Sequence, residues 1–188
     1  MGVGNGFIDM SYNALGVIKS QICSVIANSE SVRKALDFSG ENCKYDYDPD
    51  DPMTLMYNCI IPWLQDPEVI ETTDPVILVG VELRYNNQNP YLYNANVTIE
   101  CVADKDHLKT NKCYVRQDLL DKGDIVCYTR VDWLADEIIK CISNLKGTWI
   151  GDIQLVSSPE GAMSITRYTR NINLRLEDVN LGKIILNG

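Results

Sequence analysis

The chain of 188 residues contains a single histidine, His107, and no two cysteines in C-x-x-C spacing. A nucleophilic triad or a histidine-based metal centre would rest entirely on that one imidazole, which lies in a charged segment. The early glycines Gly2, Gly4 and Gly6 follow no strand and complete no phosphate-binding pattern. We therefore expect a protein that is not an enzyme and that binds no metal or cofactor.

Basic residues are also few, with 17 Lys and Arg against 26 Asp and Glu, which gives a net charge of -9. Binding to a phosphate backbone needs clustered cations that displace counterions. The sequence has no apolar run approaching the roughly 20 residues of a membrane span, and its N-terminus lacks the basic start of a signal peptide. We expect no direct sequence-specific binding of nucleic acid, no membrane association and a cytosolic location.

The seven cysteines are odd in number and widely spaced. Cys23 and Cys141 fall on the apolar faces of expected helices. This pattern favours buried free thiols over a disulfide framework.

The chain is long enough to bury one core, so we expect a single domain over residues 1–188. A first long helix is predicted to start near Ser11 or Tyr12, to break near Asn28–Ser29 and to stop at Ser39–Gly40. Its apolar stripe repeats at three- and four-residue intervals through Leu15, Ile18, Ile22, Val25 and Ile26.

The middle of the chain predicts a loop region over residues 41–75, in which a short helical turn covers Leu55–Ile61. The β-branched run Val76–Leu83 is typical of a central strand, and the alternating segment Tyr91–Val102 follows it across a polar turn. These two strands are expected to form an antiparallel hairpin. Residues 104–127 show no clear pattern beyond a short strand at Cys113–Arg116.

The last third is the most regular part of the sequence. Thr129 and Asp132 have the spacing of a capping box at the start of an amphipathic helix that ends near Asn144. The strands Asp152–Val156 and Ser164–Glu177 follow, with a turn at Ser158–Gly161 and a tail over residues 181–188. The predicted fold is therefore α+β, with an antiparallel β-sheet packed against a long N-terminal helix and a second amphipathic helix.

An acidic cluster in the loop region is the best metal candidate that the sequence offers. It consists of Asp46, Asp48, Asp50 and Asp51, whose oxygens suit a hard cation. Counted from Asp46, however, Asp51 occupies the position where a calcium loop needs glycine, and Tyr57 occupies the position of its bidentate glutamate. A solvated loop or a contact with a partner is the preferred interpretation, and an enzyme that uses this loop with a divalent cation is the alternative.

Four other residues are candidates for an interface. Arg167, Arg170 and Arg175 lie on the final strand, where we expect them to pair with carboxylates of a neighbouring subunit or of the same sheet. An acidic loop at one end and a basic strand at the other would suit a head-to-tail ring. Trp63 follows a proline and is either an interface anchor or, as we prefer, a core residue.

The order of elements, the helix Arg130–Ile138 with its Leu-Ala-Asp-Glu-Ile segment, and the closing strand Arg170–Glu177 resemble tailed-bacteriophage tail terminator and neck proteins. The resemblance implies a structural virion protein that forms a homo-oligomeric ring, commonly a hexamer, at the head–tail junction. Its implied partners are the tail tube protein and the head–tail connector. Its implied location is the tail or neck of the virion, and the host cytoplasm during assembly.

An alternative from the same residues is a cytosolic α+β domain that binds a ligand or a protein without catalysis. A closed apolar pocket would favour that alternative.

Overall fold

A computed structural model describes residues 6–36, 51–64, 75–85, 92–108, 129–162, 166–180 and 183. The first element is a helix, α1 (Gly6–Asn28), which starts earlier than predicted, and it is followed by α2 (Glu30–Leu36). The predicted break between them is confirmed. The Ser29 hydroxyl there accepts a hydrogen bond from the Val32 amide at 3.4 Å, which is the contact of a helix N-cap.

The two helices bury the apolar stripe that the sequence predicts, together with small residues beside it. Fully or nearly fully buried side chains of α1 and α2 are Ala14, Ile18, Ile22, Cys23, Ile26, Ala27, Val32, Ala35 and Leu36. Leu15 and Val25 lie at the margin of this face and are half-buried. The alanines and Cys23 allow close approach of the helix to its neighbours.

Within the described residues the sheet has six strands, in the order β1-β2-β3-β6-β4, with β5 also beside β6. Each of these pairings is antiparallel except that of β1 with β2, which is parallel. The α+β fold is therefore confirmed, with one short parallel pair added to the antiparallel sheet. The strands are β1 (Ile60–Ile61), β2 (Val76–Tyr85), β3 (Leu92–Asp104), β4 (Asp152–Ser157), β5 (Glu160–Ala162) and β6 (Arg167–Asn180).

The amphipathic helix is α3 (Arg130–Ser143), with Thr129 as its N-cap and Asn144 as its C-cap. Its capping box is complete. The Asp132 amide donates to the Thr129 hydroxyl at 3.3 Å, and the Thr129 amide donates to the Asp132 carboxylate at 3.0 Å. Two amides that the helix leaves without a backbone partner are thereby satisfied.

The main core lies between the helices and one face of the sheet. Ile99 of β3 stands beside Ile172 of β6, and both are fully buried. Leu134 and Ile138 of α3 belong to the same cluster. The predicted alternation of the last strand is confirmed, because its core-facing residues Ile172, Leu174 and Leu176 are all buried.

The opposite face of the sheet is divided into two parts. Near β1 it carries a small apolar cluster of Ile61, Val76, Leu78 and Val102. Across β3, β6 and β4 it is polar, with the Thr98 hydroxyl donating to Asn173 at 3.1 Å and the Asn173 amide donating to Ser157 at 3.0 Å. Glu100 lies on this face between Leu78 and Asn171.

Two local predictions were wrong. The expected helical turn over Leu55–Ile61 is instead a 3-10 helix at Pro52–Leu55, a turn, and the strand β1. The chain does not reverse at the expected hairpin turn, Ser158–Gly161, because it continues along β6 and β5 resumes pairing with β6 at Glu160. The predicted strand at Cys113–Arg116, the helix stop at Ser39–Gly40 and most of the tail lie outside the described residues.

The prediction of free thiols is confirmed for the described cysteines, Cys23, Cys59, Cys101 and Cys141. Burial raises the pKa of Cys23 to about 11 and that of Cys141 to about 12. It also raises the pKa of Cys101, which is fully buried. These three thiols are therefore protonated, and they act as small apolar core residues.

Replacing Thr129 with alanine should lower the free energy of unfolding by about 1 kcal/mol, because the cap hydroxyl is lost while the helix sequence is kept. Thr129→Ser retains the hydroxyl and serves as the matched control. Urea unfolding of the three proteins measures the difference. Equal midpoints for wild type and Thr129→Ala would show that the capping box contributes nothing.

The partial burial of the Glu100 carboxyl predicts that the stability of the protein depends on pH. Desolvation by burial raises the pKa of its carboxyl above the ordinary 4.5. The folded state therefore holds this proton more tightly than the unfolded state does, and stability falls as the pH rises above the ordinary glutamate value. Glu100→Gln removes this loss, so its stability relative to wild type should be higher at about pH 7 than at about pH 4. Unfolding curves of both proteins at the two pH values test this, and a constant difference would contradict it.

Candidate interaction surfaces

The strand β4 forms one edge of the sheet. It pairs with β6 on one side, and no other strand within the described ranges pairs with its second side. Leu155 and Val156 on this edge are 50% and 64% exposed. An exposed edge with apolar side chains is a site at which another chain can dock. We call Leu155 and Val156, with the backbone between Asp152 and Ser157, the edge patch.

The edge patch is interrupted by a bulge. Leu155 pairs with Leu174 and Ser157 pairs with Asn173, so the register skips Val156. The next residues continue along β6 after Pro159, whose carbonyl accepts a hydrogen bond from the Asn171 amide at 3.0 Å. A bulge bends the strand and re-aims the side chain that it inserts.

Carboxylates flank the edge patch at both ends. Asp152 contacts Lys146 at 2.5 Å, and this hydrogen bond lowers the pKa of Asp152. Glu160 contacts Arg170 at 2.7 Å and keeps a side chain that is mostly exposed. The patch therefore has an uncharged apolar centre between two ion pairs.

A second exposed apolar surface lies near β1, at the other end of the strand order. Tyr57 and Trp63 are 67% and 45% exposed, and their ring centroids are 6.0 Å apart. They border an open groove of about 320 Å³ against α1. We call this surface the aromatic groove, and it is lined by Gly16, Lys19, Ser20, Met56, Tyr57, Pro62 and Trp63.

Local hydrogen bonds hold the aromatic groove in shape. Tyr57 has a φ of 67°, a left-handed conformation that is uncommon outside glycine, and its amide donates to the Ile60 carbonyl at 2.8 Å. The Asn58 side chain donates to the Thr54 carbonyl at 2.9 Å. The Ile77 amide donates to the Cys59 carbonyl at 2.7 Å, which fixes the turn to β2.

Leu64 extends this surface onto the sheet. A Cβ atom at Gly80 of β2 would lie 2.7 Å from two carbons of the Leu64 side chain. Leu64 is nevertheless 46% exposed, so one side of it packs on Gly80 and the other remains accessible. The absence of a side chain at Gly80 makes room for this close approach.

The three arginines of the last strand lie on β6, as predicted. Arg170 contacts Glu160 at 2.7 Å and Asp132 at 3.7 Å, and Arg175 contacts Glu177 at 3.2 Å. Arg167 stands opposite Asp104 in the register. For Arg170 and Arg175 the structure shows pairing with carboxylates of the same chain, which was one of the two expected alternatives.

The other predicted interface residues fall in different places. Trp63 is exposed, so the preference for core packing was wrong. Asp51 is exposed at the start of the 3-10 helix, where its carbonyl accepts hydrogen bonds from the amide and the hydroxyl of Thr54. Asp46, Asp48 and Asp50 lie outside the described residues. Sequence reasoning missed Tyr57, Leu155 and Val156, whose exposure depends on strand order and backbone conformation.

Two other kinds of site are absent from the part of the chain that the structure describes. No group of three or more His, Cys, Asp or Glu residues there is arranged to hold a metal ion. None of the helices in these ranges has the length and apolar character needed to cross a membrane.

The packing of Leu64 on Gly80 predicts that the effect of Gly80→Ala on stability depends on whether Leu64 is present. Gly80→Ala should destabilise the wild type by about 1 kcal/mol, because the new methyl group crowds Leu64. In a Leu64→Ala background the same substitution should be neutral or stabilising, since the space is then open. Denaturant midpoints measure both effects, and equal effects of Gly80→Ala in the two backgrounds would contradict the contact.

Gly16→Ala is the matched control for this pair of measurements. A Cβ atom at Gly16 would have nothing within 4 Å, so the added methyl group crowds no neighbour. Since alanine favours the helix over glycine, this substitution should stabilise α1 by roughly 0.5–1 kcal/mol.

A comparison with protein families identifies the chain's relatives. The family profile described as YomW matches residues 29–175, which extend from the start of α2 into β6. No curated protein matches the sequence. Since the match covers most of the chain, the protein belongs to the YomW family, which is phage-derived.

Proposed function

We propose that this phage protein is a structural virion component that forms a ring at the head–tail junction. In this role it terminates the tail tube and joins the tail to the connector. The proposal rests on the resemblance to terminator and neck proteins and on the phage origin of the family. It involves no catalysis, cofactor, membrane or direct reading of a nucleic-acid sequence.

The observation that carries the proposal is the placement of the two exposed apolar surfaces. The aromatic groove adjoins β1 and the edge patch is on β4, and these are the first and last strands in the order of the sheet. Two different surfaces on opposite sides of one subunit favour head-to-tail contacts, which close into a ring when the rotation per subunit is a simple fraction of a turn. An isologous dimer would need only one such surface.

The proposed partners are further copies of the chain, the tail tube protein and the head–tail connector. Ring formation would use the sides of the subunit, which leaves the two ends of the ring for the tube and the connector. The finished ring would reside in the virion neck, after assembly in the host cytoplasm.

A ligand- or protein-binding domain without a ring is the second candidate. The aromatic groove is the observation that favours it, because exposed Trp and Tyr side chains commonly anchor partners. The groove is open to solvent and its volume lies near the lower limit for small-molecule pockets. These properties suit a few side chains of a protein partner better than a drug-sized ligand.

The first test is the mass and shape of the purified protein, by light scattering after size exclusion and by negative-stain imaging. We expect rings of about six copies. The second measurement adds the protein to polymerising tail tube protein from the same phage, where it should shorten the tubes and lie at one end of each. A chain that stays monomeric at all concentrations and leaves tube length unchanged would overturn the proposal.

A further inference from the structure

We propose that the aromatic groove binds a segment of a different protein in which a carboxylate stands next to an apolar side chain, with the carboxylate paired to Lys19. The inference rests on the proposed binding of protein partners and adds the chemistry that the groove selects. It applies to a subunit of a ring and to a single copy alike.

The two walls of the groove differ in character. One wall carries the exposed rings of Tyr57 and Trp63. The other wall is α1, where Gly16, Lys19 and Ser20 have the i, i+3 and i+4 spacing of one helix face. A Cβ atom at Gly16 would have nothing within 4 Å, so the groove is open along this face. An occupant therefore meets aromatic rings on one side and a cation on the other.

The positive charge of Lys19 is not neutralised by the chain itself. None of the ion pairs within the described ranges includes this residue, although it is half-buried. A purely apolar occupant would remove water from the charge and supply no partner, which is unfavourable. A carboxylate would replace the lost water contacts with a charge-assisted pair. The groove therefore favours an occupant that carries a negative charge.

The charge of the whole chain limits how much negative charge the occupant can bring. With a net charge of -9, the protein repels a polyanion at long range, whereas a single carboxylate needs only one nearby cation. The open groove of about 320 Å³ has room for a few side chains, and exposed Trp and Tyr commonly anchor protein partners. One carboxylate beside an apolar side chain of a polypeptide satisfies both walls.

The edge patch of a second copy does not offer this chemistry. Its flanking carboxylates, Asp152 and Glu160, are already paired with Lys146 and Arg170 of their own chain. A neighbouring copy would have to break one of these pairs to give Lys19 a partner from that segment. We therefore assign the occupant to a different protein, whose carboxylate is not already paired.

An array of terminally blocked octapeptides is the probe. Each peptide carries one Asp close to a Leu, Pro or Tyr in a background of Gly and Ser, and each has a counterpart with Asn in place of Asp. The full-length protein is applied to the array, and the best pair is measured again by calorimetry in solution. We expect the Asp peptide to bind roughly fivefold more tightly than its Asn counterpart, with a smaller ratio at high salt.

Variants of the two walls separate the charge contact from the apolar one. Lys19→Met keeps a long side chain without the charge, so the ratio of the two affinities should fall to about one, whereas Lys19→Arg should preserve it. Trp63→Ala should weaken both peptides by roughly tenfold and leave their ratio unchanged. Circular dichroism checks that each variant is folded.

A second pair of variants supplies the carboxylate from within the chain. Gly16→Glu places it three residues before Lys19 on the same helix face, where the two side chains can pair. The preference for the Asp peptide should then be lost. Gly16→Gln adds a side chain of the same size without the charge, and it should keep the preference.

The outcomes separate the inference from the proposed function. Equal binding of the Asp and Asn peptides, no binding of any peptide, or a preference that survives Lys19→Met would overturn the inference. Rings that dissociate in Lys19→Met, with no peptide bound, would show that a second copy occupies the groove, which overturns the inference and leaves the ring standing. A monomeric wild type that prefers the Asp peptide through Lys19 would support the inference and count against the ring.

Discussion

The structure depends on the burial of one face of the sheet under the helices α1 and α3, with α2 packed against both of them. Ile99 and Ile172 lie side by side at the centre of that face, and Leu134 and Ile138 of α3 belong to the cluster that covers it. Hydrophobic burial on this scale is the main favourable term in folding, and it fixes the register of β3 and β6, because a shift by one residue would exchange core side chains for polar ones. With one face occupied, the surfaces left for partners are the sheet edges, the outer face and the loops beside them.

Polar contacts outside the core join the helices to one another and the strands to one another. Arg130, at the first turn of α3, is buried, and its guanidinium donates to the Ala35 carbonyl near the end of α2 at 3.4 Å. A cation at a helix C-terminus meets the partial negative charge of the last carbonyls, so this contact ties α3 to α2 electrostatically. On the outer face, the hydrogen bonds from Thr98 through Asn173 to Ser157 join β3, β6 and β4. The first contact joins two helices, and the second set joins the edge strand to the middle of the sheet.

The sequence predicted the elements whose signals are local. The cap of α3 needs only Thr129 and Asp132, three residues apart, and the hairpin of β2 and β3 follows from two apolar runs on either side of a polar turn. It missed β1 and β5, because strands of two and three residues are too short to show a periodicity. The sequence did not predict the strand order either. The position of β4 at an edge follows from the pairing of β6 with β3 on one side and with β4 on the other. The exposure of Leu155 and Val156 therefore became visible only in three dimensions.

The exposure of Trp63 is a second feature that the sequence did not predict. An apolar residue between Pro62 and Leu64 is usually buried, and its exposure here follows from the packing of Ile61 and Leu64 on the outer face of the sheet. Those contacts turn the chain so that the indole faces α1 across an open groove. The left-handed backbone at Tyr57 brings the second ring beside it, and a conformation of this kind carries an energetic cost. Such a conformation persists where it is over-determined by its surroundings, here by the hydrogen bond from the Tyr57 amide to Ile60 and by that from the neighbouring Asn58 side chain to Thr54.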